Sequence, residues 1–151
     1  MSPEAQELRL TRKRDEILEA AKCAFRDEGY ETTSMDRIAE LAGASKRTVY
    51  NHFPSKEALF GAVVERLVQD LSSRSPLVWD ASRSVDDQLL DFALAKISVT
   101  DDPAWLALLR MSMGVFIQRP ELACSASDHA NTCDDAVLSW FATAHRAGRL
   151  R

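Results

Sequence analysis

The sequence predicts an all-α chain. Three observations carry that expectation: apolar residues recur at helical spacing almost throughout, β-branched residues are scattered, and no segment sustains the apolar/polar alternation of a strand. With 151 residues, 46% of them apolar, the chain is long enough to bury one good core or two small ones.

The elements follow in order. Ile17, Ala21, Ala24 and Phe25 lie on one helical face and predict a first helix over 11–28, stopped by Gly29. Thr33 reads as the next N-cap, because Asp36 three residues on completes a capping box and Ile38, Leu41 and Ala42 supply an apolar stripe. Gly43 ends that second helix and Ser45 caps the third, so a three-residue turn separates them. Ser55 caps a fourth helix, whose face runs through Leu59, Phe60, Val63, Leu67, Val68 and Leu71 to about residue 72. The stretch SSRSPLVWDASRS holds Pro76 and no periodicity, which places a boundary near residues 72–83. Beyond it, Ser84 opens a helix carrying Leu89, Phe92, Ala93 and Ile97. Asp102 and Pro103 read as N-cap and first residue of a helix over 103–118, apolar almost all round and therefore central in the core. A final helix starts at Pro120, carries Ala126, Ala130, Cys133, Val137, Trp140, Phe141 and Ala144 on its face, and stops at Gly148.

Several function classes drop out. The N-terminus MSPEAQELRLTRKR lacks the apolar core of a signal peptide, and the most apolar run, Trp105 to Ile117, is broken by Arg110 and too short to span a bilayer. The expectation is a soluble, cytoplasmic protein with no membrane partner. Three cysteines, an odd number, fit free thiols in a reducing compartment better than a disulfide framework. Cys124, His129 and Cys133 are spaced five and four apart, which cannot put all three on one helix face, so no metal is expected. Asp86 and Asp87 behind Ser84, and His145 and Arg146 at the last helix end, are explained by helix-end electrostatics; Asp134 and Asp135 read as a solvated face, and Cys23 and Cys133 as packed. With no Ser-His-Asp arrangement and no phosphate-cradling glycine loop, neither an enzyme nor a bound cofactor is expected.

The formal charge of −4 conceals an asymmetry. Residues 1–56 carry ten Lys or Arg against ten acids, and residues 57–151 nine against thirteen, so the acidic excess lies wholly in the second part. That leaves room for a basic face on the first.

The short third helix sits within SKRTVYNHF, where only Val49 and Phe53, four apart, are strongly apolar. One narrow stripe pins it to its neighbours and everything else points outward; so short a helix depends on those neighbours for its stability. Two helices joined by a tight glycine-containing turn, the second displaying Lys46, Arg47, Thr48, Tyr50, Asn51 and His52, describe a helix-turn-helix with its recognition helix made for the DNA major groove. Arg47 or Lys46 suits guanine O6 and N7, Asn51 an adenine edge, and Thr48 a thymine methyl. Tyr50 and His52 suit the phosphate backbone, as do Thr33, Ser45 and Lys56 at helix N-termini. Ser34 and Arg37 complete the expected DNA-binding set.

The segment ILEAAKCAFRDEGYETTSMDRIAELAGASKRTVYNHFPSKEALFGAVV resembles, over its whole length, the N-terminal domain of the TetR family of one-component transcriptional regulators. Ala20, Ala21, Phe25, Gly29, Thr33, Ile38, Ala39, Ala42, Gly43, Ser45, Tyr50, Phe53, Lys56, Glu57 and Leu59 all fall in the family's pattern. The resemblance implies a three-helix DNA-binding domain over 1–56 that reads a palindromic operator in double-stranded DNA as a homodimer, with Thr33, Tyr50 and Lys56 at positions that commonly contact phosphates. Arg47 departs from it, standing where the family often has glycine or another small residue, which implies an extra base contact or the preference of one family branch. DPAWLALLRMSMGVFIQRPELA and LSWFATAHRAGRLR look like the AefR-like C-terminal region. They imply that 57–151, reached through the fourth helix, is a helical ligand-binding and dimerisation domain, and that the protein is a repressor released from its operator by an unidentified small molecule. Trp105, Leu109, Met113, Phe116 and Trp140 are candidate pocket residues, although stripes of this kind are more often core. The resemblance also implies about two further helices after the last residue given, which in the family form most of the dimer interface; the expectation is a fragment, a natural short form, or a dimer built on what remains. The competing expectation is therefore a helical ligand-binding or interaction protein without effective operator binding.

Overall fold

A computed structural model describes residues 3–73, 77–123 and 132–150. Among them the chain forms α1 (Pro3–Glu28), α2 (Met35–Leu41), α3 (Lys46–His52), α4 (Lys56–Ser73), α5 (Val85–Ser98), α6 (Pro103–Gln118) and α7 (Thr132–Arg146), with a 3₁₀ turn at Val99–Asp101 and helical residues at 120–123. No strand occurs among the described residues, as the periodicity predicts.

α1 begins eight residues before the start expected at residue 11. Residues 5–12 are exposed, Leu8 and Leu10 included, so no buried stripe runs through this part and it left no periodic signal. It is helical because its run of Glu, Ala, Gln, Leu and Arg favours helix and Pro3 stands at the first position, where the missing N–H costs little. The next boundary is also corrected. Ser34, not Thr33, is the N-cap of α2, its Oγ accepting from Arg37 N at 3.1 Å. Thr33 turns inward instead and donates its hydroxyl to Gly29 O at 2.7 Å and Ala24 O at 3.2 Å, while Asp36, exposed in the first turn, pairs with Lys46.

The α2–α3 turn comprises residues 42–45, one longer than expected. Gly43 adopts φ +54°, and the bonds Gly43 N to Glu40 O and Ala44 N to Ala39 O close the α2 carbonyl end around it. Ser45 caps α3 as expected, and Ser55 Oγ accepts from Ala58 N at 3.1 Å to start α4.

α1 packs on α2, α4 and α6, and α4 on α6. Ile17, Phe25, Ile38, Val49, Phe53, Leu59, Phe60, Leu108 and Val115 belong to one cluster, so α6 shares the core of the first four helices. Burying roughly ten such side chains, at about 1.5–3 kcal/mol each, is what positions the two-turn α3. α6 is less enclosed than predicted: Leu108, Ser112 and Val115 are buried, but Met113 is exposed and Ile117 is 82% exposed. Asp102 caps it through Ala104 N and Trp105 N as expected.

In α5 the expected stripe is only partly inside. Leu89 and Phe92 are half-buried, Ala93 and Ile97 exposed, and the buried residue is Gln88. Its amide explains this. Gln88 Oε1 accepts from Asp80 N at 2.9 Å and from Trp140 Nε1 at 3.4 Å, while Nε2 donates to the carbonyls of Asp80, Arg83 and Ser84. One side chain thus ties the segment before α5 to α5 itself and to α7, and the Trp79 and Trp140 rings meet edge-on at 5.4 Å over it. α7 buries Trp140 and Ala144, leaves Phe141 exposed, and is followed two residues after its last by Gly148 at φ +68°. Ala126 and Ala130 lie outside the described residues, as do Cys124, His129 and the side chains of Cys133 and Asp134.

Candidate nucleic-acid interface

α3 is held at both ends by residues outside it. At its start, Lys13 Nζ reaches from α1 to Ala42 O at 3.2 Å and Gly43 O at 3.4 Å, capping the turn that leads into the helix. At its end, Phe53 is buried, with the Arg14 guanidinium 5.0 Å from the centre of its ring. Val49 is fully buried between them. A helix of this length cannot hold its orientation by its own hydrogen bonds; here it is fixed by anchors on α1 and by packing on α2.

Between these anchors Lys46, Arg47, Tyr50 and Asn51 are exposed, with Thr48 and His52 half-buried beside them. Lys46 is committed in part to Asp36, Nζ to Oδ1 2.8 Å, and this hydrogen-bonded pairing raises the ammonium pKa. Arg47 has no ion pair among the described residues. Thr48 exchanges a hydrogen bond with Ser45 at 2.8 Å, which orients both hydroxyls along the helix start. Ser34 is occupied as the α2 cap, and Arg37 bonds Glu28 and Glu40, each at 2.9 Å, on the exposed side of α2. The fork of charges around Arg37 leaves little positive potential there.

Two of the expected phosphate contacts serve the fold. Thr33 is 2% exposed, and with its hydroxyl and N–H both bonded inside it presents no donor to solvent. Lys56 is half-buried and donates to Tyr30 O, Glu31 O and Thr33 O, its Nζ 4.4 Å from the centre of the Tyr30 ring. Both sit near helix starts, where sequence logic favours a phosphate; in the free chain their side-chain donors go to carbonyls of α1 and of the loop after it.

Sequence reasoning missed the neighbouring wall. Arg9, Arg12 and Lys13 of α1 face Thr48 and His52 across a groove of about 660 Å³. Arg12 and Lys13 both contact Glu16, so part of this charge is already balanced. The signal was present as the basic run at residues 12–14, but its distance in sequence from α3 hid the juxtaposition.

The five candidate pocket residues do not converge. Trp105, Leu109 and Phe116 pack on the main core, Phe116 edge-on to Phe60 at 5.8 Å, whereas Met113 is exposed and Trp140 belongs with Trp79, Phe141 and Gln88. Trp105 borders a small cavity of about 110 Å³ with Lys22, Arg26, Asp70 and Leu108, and its buried Nε1 has no hydrogen-bond partner among the described residues. No cluster of three or more His, Cys, Asp or Glu placed to hold a metal occurs among the described residues, and none of their helices is long and apolar enough to cross a membrane.

Comparison with known proteins agrees with this geometry. A family model for bacterial regulatory proteins of the tetR family matches residues 17–63, and one for the C-terminal domain of AefR-like transcriptional repressors matches 87–151. The HTH-type transcriptional repressor AcnR of Corynebacterium diphtheriae is 26% identical over 149 residues, covering 99% of this chain and 74% of that protein. The HTH-type transcriptional activator FasR of Mycolicibacterium smegmatis is 32% identical over 144 residues, covering 89% of this chain and 64% of that protein. A solved structure of a TetR-family regulator from Mesorhizobium loti superposes with a TM-score of 0.76 at 34% identity, over 93% of this chain and 71% of that one. A helix-turn-helix built on a shared α-helical core, matched on both sides of residue 73 by models of the same kind of regulator, places this chain in the TetR family of bacterial regulatory proteins.

Proposed function

We propose that the chain is a sequence-specific DNA-binding transcriptional regulator, acting as a homodimer on a palindromic operator and released from it by a small molecule. The observation that carries the reading is α3 itself: a two-turn helix, anchored at both ends, whose exposed face holds Arg47, Tyr50 and Asn51 with the hydrogen-bonding groups that read base edges and phosphates. The basic groove between α1 and α3 supplies phosphate contacts on the same side. Residues 1–56 read DNA and 57–151 regulate; because α6 packs into the core of the first four helices, a change in the second part reaches the first through side-chain contact.

Repression is the direction favoured, since the C-terminal match is to a repressor domain and AcnR is named a repressor, although FasR is named an activator. A second copy is the expected cover for the apolar residues Leu90, Leu94 and Ile97 on α5, four and three apart, and for Leu138 on α7, all exposed in the single chain.

The test is selection from a random pool of DNA duplexes with the purified chain, with light scattering on the free and bound protein. Enrichment of a palindrome bound by two copies, with affinity falling steeply with salt, is expected. Recovery of no preferred sequence at physiological salt overturns the regulator reading in favour of a helical interaction protein.

A further inference from the structure

We propose that Arg119 is a positioning residue for DNA recognition: from the end of α6 it clasps the α1–α2 loop and the start of α4, the two chain segments between which the helix-turn-helix is suspended. The inference rests on the DNA-binding reading above and adds to it the side chain that sets where the reading head stands against the second half of the chain.

Arg119 is itself rigidly placed. Its N–H closes the last turn of α6 on Val115 O at 2.7 Å, and its carbonyl accepts from Leu122 N at 3.0 Å at the start of the next helical stretch, with Pro120 between. From that point the guanidinium spans 88 residues of sequence to Glu31, with Nε to Oε1 3.0 Å and NH2 to Oε2 3.2 Å, a two-pronged pairing. NH1 lies 3.9 Å from Glu57 Oε1 in the first turn of α4, and the centre of the Tyr30 ring is 5.6 Å away. Tyr30 joins the same group, donating its hydroxyl to Glu57 Oε1 at 3.4 Å while its ring packs on Phe60 at 4.8 Å. Lys56 holds the backbone of the same loop at Tyr30, Glu31 and Thr33.

The geometry makes Arg119 more than a surface pair. Glu31 leads into α2 and Glu57 follows α3, so the two carboxylates bracket the helix-turn-helix in sequence, and one guanidinium contacts both. Glu57 is held below the usual carboxylate range, first by its own backbone N–H at the helix start, with Ser55, the Tyr30 hydroxyl and Arg119 adding to it. It is therefore ionised wherever the clasp is needed.

The experiment uses the full chain as Arg119→Gln, Arg119→Lys, and the exchanged pair Arg119→Glu with Glu31→Arg. Two readouts are taken: affinity for the site selected by the wild-type protein, and amide hydrogen exchange over residues 29–41 and 55–61 without DNA. Arg119→Gln is expected to speed exchange in both segments and to weaken operator binding by about three- to tenfold with the base preference unchanged. Lysine, a point charge without the fork, recovers part of both, and the exchanged pair recovers part of both by remaking the Glu31 contact with reversed sign. A residue that only stabilised the fold would lower the melting temperature while leaving affinity for the site unchanged at a temperature where the variant is folded. An Arg119→Gln chain that binds the site with wild-type affinity, or an exchanged pair no better than Arg119→Gln, overturns the proposal. If the wild-type chain selects no DNA, the regulator reading itself falls, and unchanged exchange in Arg119→Gln then separately removes the clasp.

Discussion

Lys46 and Asp36 form an ion pair across the α2–α3 turn, Nζ to Oδ1 2.8 Å, so of two adjacent basic residues on the recognition helix one already has a carboxylate partner. The pair is exposed on both sides and adds little to stability. Its effect is on DNA. Arg47→Ala should cost about 1–3 kcal/mol of binding confined to particular base pairs. Lys46→Ala should cost less, and Asp36→Ala should strengthen binding by removing the carboxylate that holds Lys46. Fluorescence anisotropy against salt, on a selected site and its single-base variants, separates these; a Lys46→Ala loss larger than that of Arg47→Ala would reverse the assignment.

Thr33→Val keeps the shape of a buried side chain and removes its donor to Gly29 O and Ala24 O. The expected loss of folding stability is about 1 kcal/mol, read from urea unfolding. Affinity for DNA at a temperature where both proteins are folded should stay within about twofold, the outcome that distinguishes an interior threonine from a phosphate contact.

Burial, with the Glu57 carboxylate nearby, pushes the Tyr30 hydroxyl from 10.0 up to about 12. The folded pKa is raised, so the unfolded chain loses this proton first. Stability from Tyr30 is therefore intact below pH 10 and drains away between 10 and about 12. An ultraviolet titration of phenolate absorbance should show a late-ionising tyrosine that vanishes in Tyr30→Phe; a Tyr30→Phe protein that keeps the late step would assign it elsewhere.

Gln88→Leu fits the space and strands Asp80 N and the carbonyls that Nε2 serves. A loss of roughly 1–3 kcal/mol is expected, because unpaired buried polar groups bear the full desolvation cost. Tryptophan fluorescence should change with it, since Trp140 Nε1 loses its acceptor and the Trp79 contact loosens. DNA base preference should not change.

How much of this was legible follows from the range over which each interaction acts. Ser45, Ser55, Ser84 and Asp102 cap their helices as read, since a cap is a contact between a side chain and an N–H two or three residues away. Thr33 failed as a cap because two residues in succession, Thr33 and Ser34, offered the same hydroxyl, and only the fold chose which one faced inward. The α5 stripe failed for a related reason: periodicity marks Leu89 and Ile97 equally, but which of them meets a neighbour depends on where the neighbour lies.

By itself the sequence determined the helical class, the helix-turn-helix and the residue types on its outer face, because caps, glycine stops and four-residue spacing are local consequences of backbone geometry. Tertiary structure alone decided that Lys13 would cap the turn into α3, that Lys56 would bond the carbonyls of Tyr30, Glu31 and Thr33, and that Arg119 would reach Glu31 and Glu57. Those contacts join residues 23 to 88 positions apart, and no spacing rule connects such positions until packing of the apolar faces has brought them together.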